Sequence, residues 1–177
     1  MSRPDITATE LIDHYGLAPL PLEGGFFRPT WTAAKEQGGR PEGTAILALL
    51  TAEGEQFSAM HRLPVDEIWH FHLGDPIELL LLAPDGTDRT VVLGHDVLAG
   101  QQVQLRVPKG TWMGGRVCDG GRWSLFGCTM APGFVPSDYE GGDAGELCAR
   151  YPRAAARIRS RCRPGVPLRM TEDSPEF

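Results

Sequence analysis

From Thr44 to Thr129 short apolar runs recur between turn signals, and this rhythm sets the first expectation for the fold. TAILALLT, FSAMH, EIWHFHL, IELLLLA, TVVLG, QVQLRVP, TWMGGRV and WSLFGCTM are separated by segments such as AEGE, LPVD, GDP, PDGTDR, LAG, PKG and CDGG. Strand-length runs punctuated by Gly, Asp and Pro predict an antiparallel sandwich or barrel, and helix is not a serious competitor there. Comparable turn chemistry in the two halves of this region hints at paired Greek keys, the construction of a jelly roll.

The flanks follow other periods. Thr7 and Glu10 stand at capping-box spacing ahead of Ala8, Leu11, Ile12 and Tyr15 at helical intervals, so a short amphipathic helix is expected over 7–15. The Gly- and Pro-rich loop GLAPLPLEGGFFRPTW follows, and its end from Phe26 to Trp31 has the aromatic character of a first strand. After Met130, APGFVPSDYEGG leads into DAGELCARYPRAAARIRSR, which favours helix, with Pro152 starting a new segment in its first turn. The expected organisation is a single domain over 1–161, its barrel spanning about 26–135, with 162–177 as an extended or disordered tail.

Charge and length narrow the function classes. A chain of 177 residues is of single-domain size. A net charge of -6 argues against nucleic acid or an anionic membrane as partner, since both need a dense basic surface. The Arg cluster after Arg150 reads as a solvated helix face. MSRPDITATE has no apolar leader run and no later stretch approaches the ~20 apolar residues of a span, so a cytoplasmic protein is expected. Cys118, Cys128, Cys148 and Cys162 form no Cys-x-x-Cys pair and are expected to be free thiols.

The chemistry concentrates in DEIWHFHLGDP, from Asp66 to Pro76, five residues after His61. His61, Glu67 and Gly74, with six residues between the last two, lie in the strand-turn context EIWHFHLGD; Pro108 to Gly110 reads PKG. These two stretches resemble the first and second motifs of the cupin superfamily. LEGGFFRPTW, FSAMHRLPVDEIWHFHLGDPIELLLL, VPKGTWMGG and FGCTMAPGF together resemble a branch labelled as a cupin domain of unknown function, similar to the sugar-nucleotide epimerase-like jelly rolls, over about residues 11 to 152. The resemblance implies an all-β jelly-roll barrel with short helices at either end, and a homodimer.

What the resemblance implies about metal is changed by this sequence. Metal-holding cupins use two histidines one residue apart, a glutamate, and a third histidine from the second motif. Here Ala59 stands two before His61, and Met113 stands three after Gly110. Only His61 and Glu67 remain, and two protein ligands do not make a robust transition-metal site. No cofactor is therefore expected, a divalent metal being the alternative if His70 and His72 face the pocket. Strand alternation decides that point: with Glu67 inward, Trp69 and Phe71 follow, while His70 and His72 point away unless a β-bulge reverses the parity.

His61 and Glu67 are thus the candidate catalytic pair. A histidine beside a carboxylate suits proton abstraction next to a carbonyl, the step of an epimerase, isomerase or lyase; a strut joining two strands, or a barrel that only binds a small ligand, are the competing roles. Trp69, His70, His72, Glu78 and Trp112 are candidates for ligand contact, a small organic molecule such as a sugar or sugar nucleotide being the expected partner. For Glu78 the competing expectation is a pair with a nearby cation, and for the tryptophans plain packing. Arg28 and Lys109 are the cations expected nearest a pocket mouth; His14 and His95 are assigned no role.

Overall fold

The computed structural model describes residues 5–35 and 39–171. Helix α1 (Ala8–Tyr15) opens the chain, with Thr7 and Glu10 closing the expected capping box and Gly16 ending it in the left-handed conformation. Among the described residues eleven strands follow: β1 (Ala18–Pro19), β2 (Phe26–Thr32), β3 (Thr44–Thr51), β4 (Ser58–Arg62), β5 (Glu67–Gly74), β6 (Ile77–Leu82), β7 (Asp88–Leu93), β8 (Gln104–Val107), β9 (Trp112–Val117), β10 (Trp123–Met130) and β11 (Glu140–Gly141). Helices α2 (Ala144–Arg150) and α3 (Ala155–Arg159) come last, and Pro152 begins the 3-10 turn between them. The two-residue strands β1 and β11 lie inside stretches whose composition reads as loop, and each exists only by pairing with a longer neighbour, β2 and β4.

The strands form two antiparallel sheets, ordered β1-β2-β3-β10-β5-β8 and β11-β4-β9-β6-β7. This is the expected jelly-roll arrangement. Side chains from the two inner faces make the main core, with Phe27, Leu50, Trp69, Phe71, Leu79, Met113 and Phe126 among its members.

Both sheets are also covered outside, which explains strands that do not alternate. In β6, Ile77, Leu79 and Leu81 face the inner core, while Leu80 and Leu82 pack with Trp112 against Leu147, Tyr151 and Ile158 of the C-terminal helices. Each leucine so buried contributes about 1.5–3 kcal/mol. On the other sheet, Leu49 and Leu125 turn outward to meet Leu11 of α1. The outer face of β5 has no such cover at its far end, and there the sequence turns polar: His72 is exposed.

The tail is extended, as its prolines suggest, but it is docked. Gly141 N–H donates to the Leu168 carbonyl at 2.8 Å, Arg169 bridges to Glu140, and Met170 is buried. The stretch 172–177, also expected to be tail, lies outside the described residues.

Candidate functional site

One end of the barrel holds a small cavity, with a free volume of about 40 Å³. Its polar groups are Glu23, His61, Glu67, Thr44, Cys128 and Tyr139; Leu20, Ile46, Leu63, Met130 and Phe134 form apolar wall, and Met170 comes from the docked tail. Trp31 stands at the mouth and is 53 % exposed. Its indole lies against Gly43, where any Cβ would meet the ring at 2.5 Å, so glycine makes room for it.

Glu67 enters from the first residue of β5, facing inward with Trp69 and Phe71 as strand alternation requires. It is 7 % exposed. The Trp69 indole N–H donates to its Oε2 at 2.8 Å, and the Cys128 thiol donates to the same carboxylate. The indole is fixed by stacking on Phe126, with centroids 4.7 Å apart. Burial dominates the protonation balance and raises the Glu67 pKa to about 7, opposed by the His61 charge and supported by repulsion from Glu23. Near neutral pH this carboxyl group populates both its acid and its base form.

His61 comes from β4 and is buried. Its Nδ1 lies 2.7 Å from the Ala59 carbonyl, which can only accept, so Nδ1 carries the hydrogen and the Nε2 lone pair of the neutral ring is left for the cavity. Tyr139 stacks on the imidazole at 5.5 Å and 16°. From Nε2 to Glu23 Oε1 is 3.9 Å, too long for a direct hydrogen bond.

Glu23 is the site residue that sequence reasoning missed. It sits in the turn between β1 and β2, where Leu22 takes φ 62° and Gly24 and Gly25 take φ 98° and 76°. Leucine pays a steric cost in that region, and the turn is held by Ala59 N–H donating to the Glu23 carbonyl at 2.8 Å. Ser58 Oγ then donates to Oε1 at 2.7 Å, aiming the side chain at His61. The available signal was an acidic residue just before Gly-Gly, inside the stretch LEGGFFRPTW; nothing in its composition shows a loop carboxylate reaching back into a barrel. Cys128 and Tyr139 were also unassigned, although β10 pairing opposes Cys128 to Trp69 and so fixes its inward direction.

The remaining candidates lie elsewhere. His70 is on the outer face of its sheet, its Nε2 2.8 Å from Thr129 Oγ1 and its Nδ1 3.1 Å from Gln104 Nε2. A bulge does occur in β5, where Phe126 pairs with Phe71 but Leu125 with Leu73, leaving His72 unpaired. It falls after His70, too late to turn either histidine inward, so both are corrected from pocket to outer face. Glu78 is corrected too: it lies outside the barrel, paired with Arg161 and 3.8 Å from Arg116 Nε. Trp112 packs under the C-terminal helices, with the Arg62 guanidinium 4.7 Å from its ring, and does not reach the cavity. Arg28 donates to the Tyr15 carbonyl at the end of α1, and the backbone of Lys109 donates to Asp66; neither lines the cavity.

The donor set does not fit a resident metal. Met113 is paired in register with His61 and is a buried core residue, and Ala59 offers no ligand atom. Among the described residues no group of three or more His, Cys, Asp or Glu side chains is arranged to hold an ion. Also among these residues, no helix is long and apolar enough to cross a membrane.

Comparison with known proteins places these observations. No curated protein matches the chain. A crystal structure of a protein from Shewanella oneidensis is similar to it, with 33% identity and a TM-score of 0.82 over 90% of this chain and 99% of that one. A hypothetical protein from Leishmania major is similar at 30% identity and a TM-score of 0.79, covering 89% and 99%. Oxalate decarboxylase from Bacillus subtilis shares the fold alone, at 10% identity and a TM-score of 0.53, over 89% of this chain and 39% of that one. The model of the family described as Cupin superfamily (DUF985) matches residues 9–141, and the chain belongs to that family.

Proposed function

We propose that the cavity is the site of a metal-independent proton-transfer reaction on a small carbonyl compound, of the isomerase, epimerase or lyase type. The observation that carries this reading is the pairing, in one cavity, of an imidazole whose Nδ1 is held by the Ala59 carbonyl, with Nε2 directed toward Glu23, and a buried carboxyl group whose pKa is raised to about 7. Proton transfer is most efficient when donor and acceptor pKa values lie near the working pH, and the burial of Glu67 does that.

The step balances without a redox partner. His61 Nε2 takes the proton from the carbon next to the carbonyl, the C–H pair becomes the C=C bond of an enol, and Glu67 gives its proton to the carbonyl oxygen. Return of a proton from water on the opposite face, with His61 releasing its own to solvent, gives the epimer; where the carbon carries a hydroxyl, Glu67 takes the hydroxyl proton as His61 protonates the former carbonyl carbon, and the isomer results. Only the reacting end of a substrate fits in about 40 Å³, so anything as large as a sugar nucleotide would keep its bulk outside Trp31.

The small volume also favours a second reading, a barrel that holds a compact ligand without turning it over. Small ketones and hydroxyketones in D2O, followed by NMR for deuterium exchange at the carbon next to the carbonyl, separate the two. Catalysed exchange lost in both His61→Ala and Glu67→Gln, with binding retained, supports proton transfer; absence of exchange across the set in wild-type protein favours the binding barrel.

A further inference from the structure

We infer that the ligand of this cavity is a small organic cation, a protonated amine or amidine, and that the site discriminates against carboxylates of the same shape. The inference rests on the cavity being the functional site proposed above, and concerns its charge selection rather than its chemistry.

The lining has a one-sided electrostatic character. Two carboxyl side chains, Glu23 and Glu67, flank His61, and among the described residues no Lys or Arg lines the cavity. Guanidinium groups flanking the wall elements are directed to other partners, Arg169 beside Met170 lying 3.4 Å from Glu140. Arg62 forms a two-point pair with Glu140 at 2.7 and 3.0 Å, and Arg40 forms one with Asp138. Arg163, whose charge is felt at Tyr139, lies over the Phe57 ring and donates to the Phe57 carbonyl. An anion entering the cavity would therefore meet Glu23 with no Lys or Arg on the described lining itself, the Arg163 guanidinium lying behind it against Gly24.

A cation meets the opposite situation. Glu23 Oε1 holds one hydrogen bond from Ser58 and keeps its remaining lone pairs, and the 3.9 Å gap to His61 Nε2 places a second acceptor beside it. An N–H donor group of a cation held at Glu23 would give its hydrogens to the carboxylate and leave His61 Nε2 to the carbon beside it. Trp31, Phe134 and Tyr139 also line the same space and can hold the apolar part of such a ligand. Ammonium and amidinium groups also fit the volume, since each displaces about as much as the few waters that 40 Å³ can hold. If the proton-transfer reading holds, the substrate is an amino-substituted carbonyl compound.

Acetamidinium, acetamide and acetate share one shape and carry charges of opposite sign or none, so they isolate the charge term. Binding of each to the full chain is measured at constant ionic strength by NMR titration of the amides of Thr44, Ile46 and Met130. Acetamidinium is expected to bind at least about tenfold more tightly than acetate, with acetamide between them. Glu23→Gln is expected to remove most of that preference, while His72→Ala, on the outer face of the sheet, keeps it. Acetate binding as well as acetamidinium, no binding of acetamidinium at 50 mM, or a preference unchanged in Glu23→Gln would each overturn the inference. Because none of these readouts involves turnover, charge selection and proton transfer fail separately: exchange chemistry can persist with the wrong charge preference, and the preference can persist in a barrel without chemistry.

Discussion

Two glutamates on adjacent strands of the chain, Glu67 on β5 and Glu78 on β6, show how surroundings divide one side chain into two roles. Glu67 faces into the barrel, takes hydrogen bonds from an indole and a thiol, and among the described residues has no Lys or Arg ion pair. Glu78 faces outward beneath the C-terminal helices, 31 % exposed, and pairs with the 1 % exposed Arg161. A carboxylate held by a guanidinium is an attachment point for α3, whereas one buried against neutral donors keeps its proton within reach of neutral pH. Stability is expected to depend on Glu78 and chemistry on Glu67.

The largest effect expected from this contrast comes from breaking the outer pair. Glu78→Ala leaves Arg161 buried without its counter-charge and is expected to cost about 3 kcal/mol in a denaturant titration. The double substitution Glu78→Leu with Arg161→Met should recover most of that loss, because it removes both charges together. A single variant as stable as wild type would mean that Arg161 finds solvent or Arg116's second partner, Asp119, an adequate substitute.

Glu67 should behave in the opposite way. Its folded pKa, about 7, lies above the ordinary carboxylate value of 4.5, so the folded state holds a proton that the unfolded chain has already lost. Stability therefore falls as pH rises from about 4.5 to about 7, and the penalty is complete above that window. Glu67→Gln is expected to flatten this slope and to raise stability at pH 8 by up to about 2–3 kcal/mol, with little effect at pH 4. Melting curves of the two proteins across that range check it, and equal slopes would show that Glu67 ionises as an ordinary carboxylate. A buried acid in this position thus carries a stability cost that its amide does not.

The smallest effect belongs to the outer histidines. His70→Ala and His72→Ala are each expected to change stability by less than about 0.5 kcal/mol and to leave the cavity's ligand preference unchanged. A changed preference in the same amide titration would mean that the outer face of β5 communicates with the cavity.

The contrast also marks what can be read from a chain alone. Period and punctuation located the long strands, because alternate burial and turn chemistry are local signals: Glu67, Trp69 and Phe71 inward followed from parity. Glu78 sat in IELLLL, a run whose two buried faces look alike in sequence, and its partner is 83 residues away. Glu23 and Met170 join the site from a strained turn and a docked tail, and neither a φ of 62° at Leu22 nor the pairing of Gly141 with Leu168 is written in local composition. Strands were legible from neighbours; the site depended on contacts between distant parts of the chain.

The docked tail has a consequence for the order in which the molecule becomes competent. Leu20, from the first loop, and Met170, from the last described turn, are walls of the same cavity. A nascent chain can pair its central strands while its end is still being made, but the cavity stays unwalled until Met170 arrives. Intermediates that have lost only this final docking would be folded by circular dichroism and unable to hold a ligand. If the proposed site holds a ligand, its binding is then a probe of this last docking step.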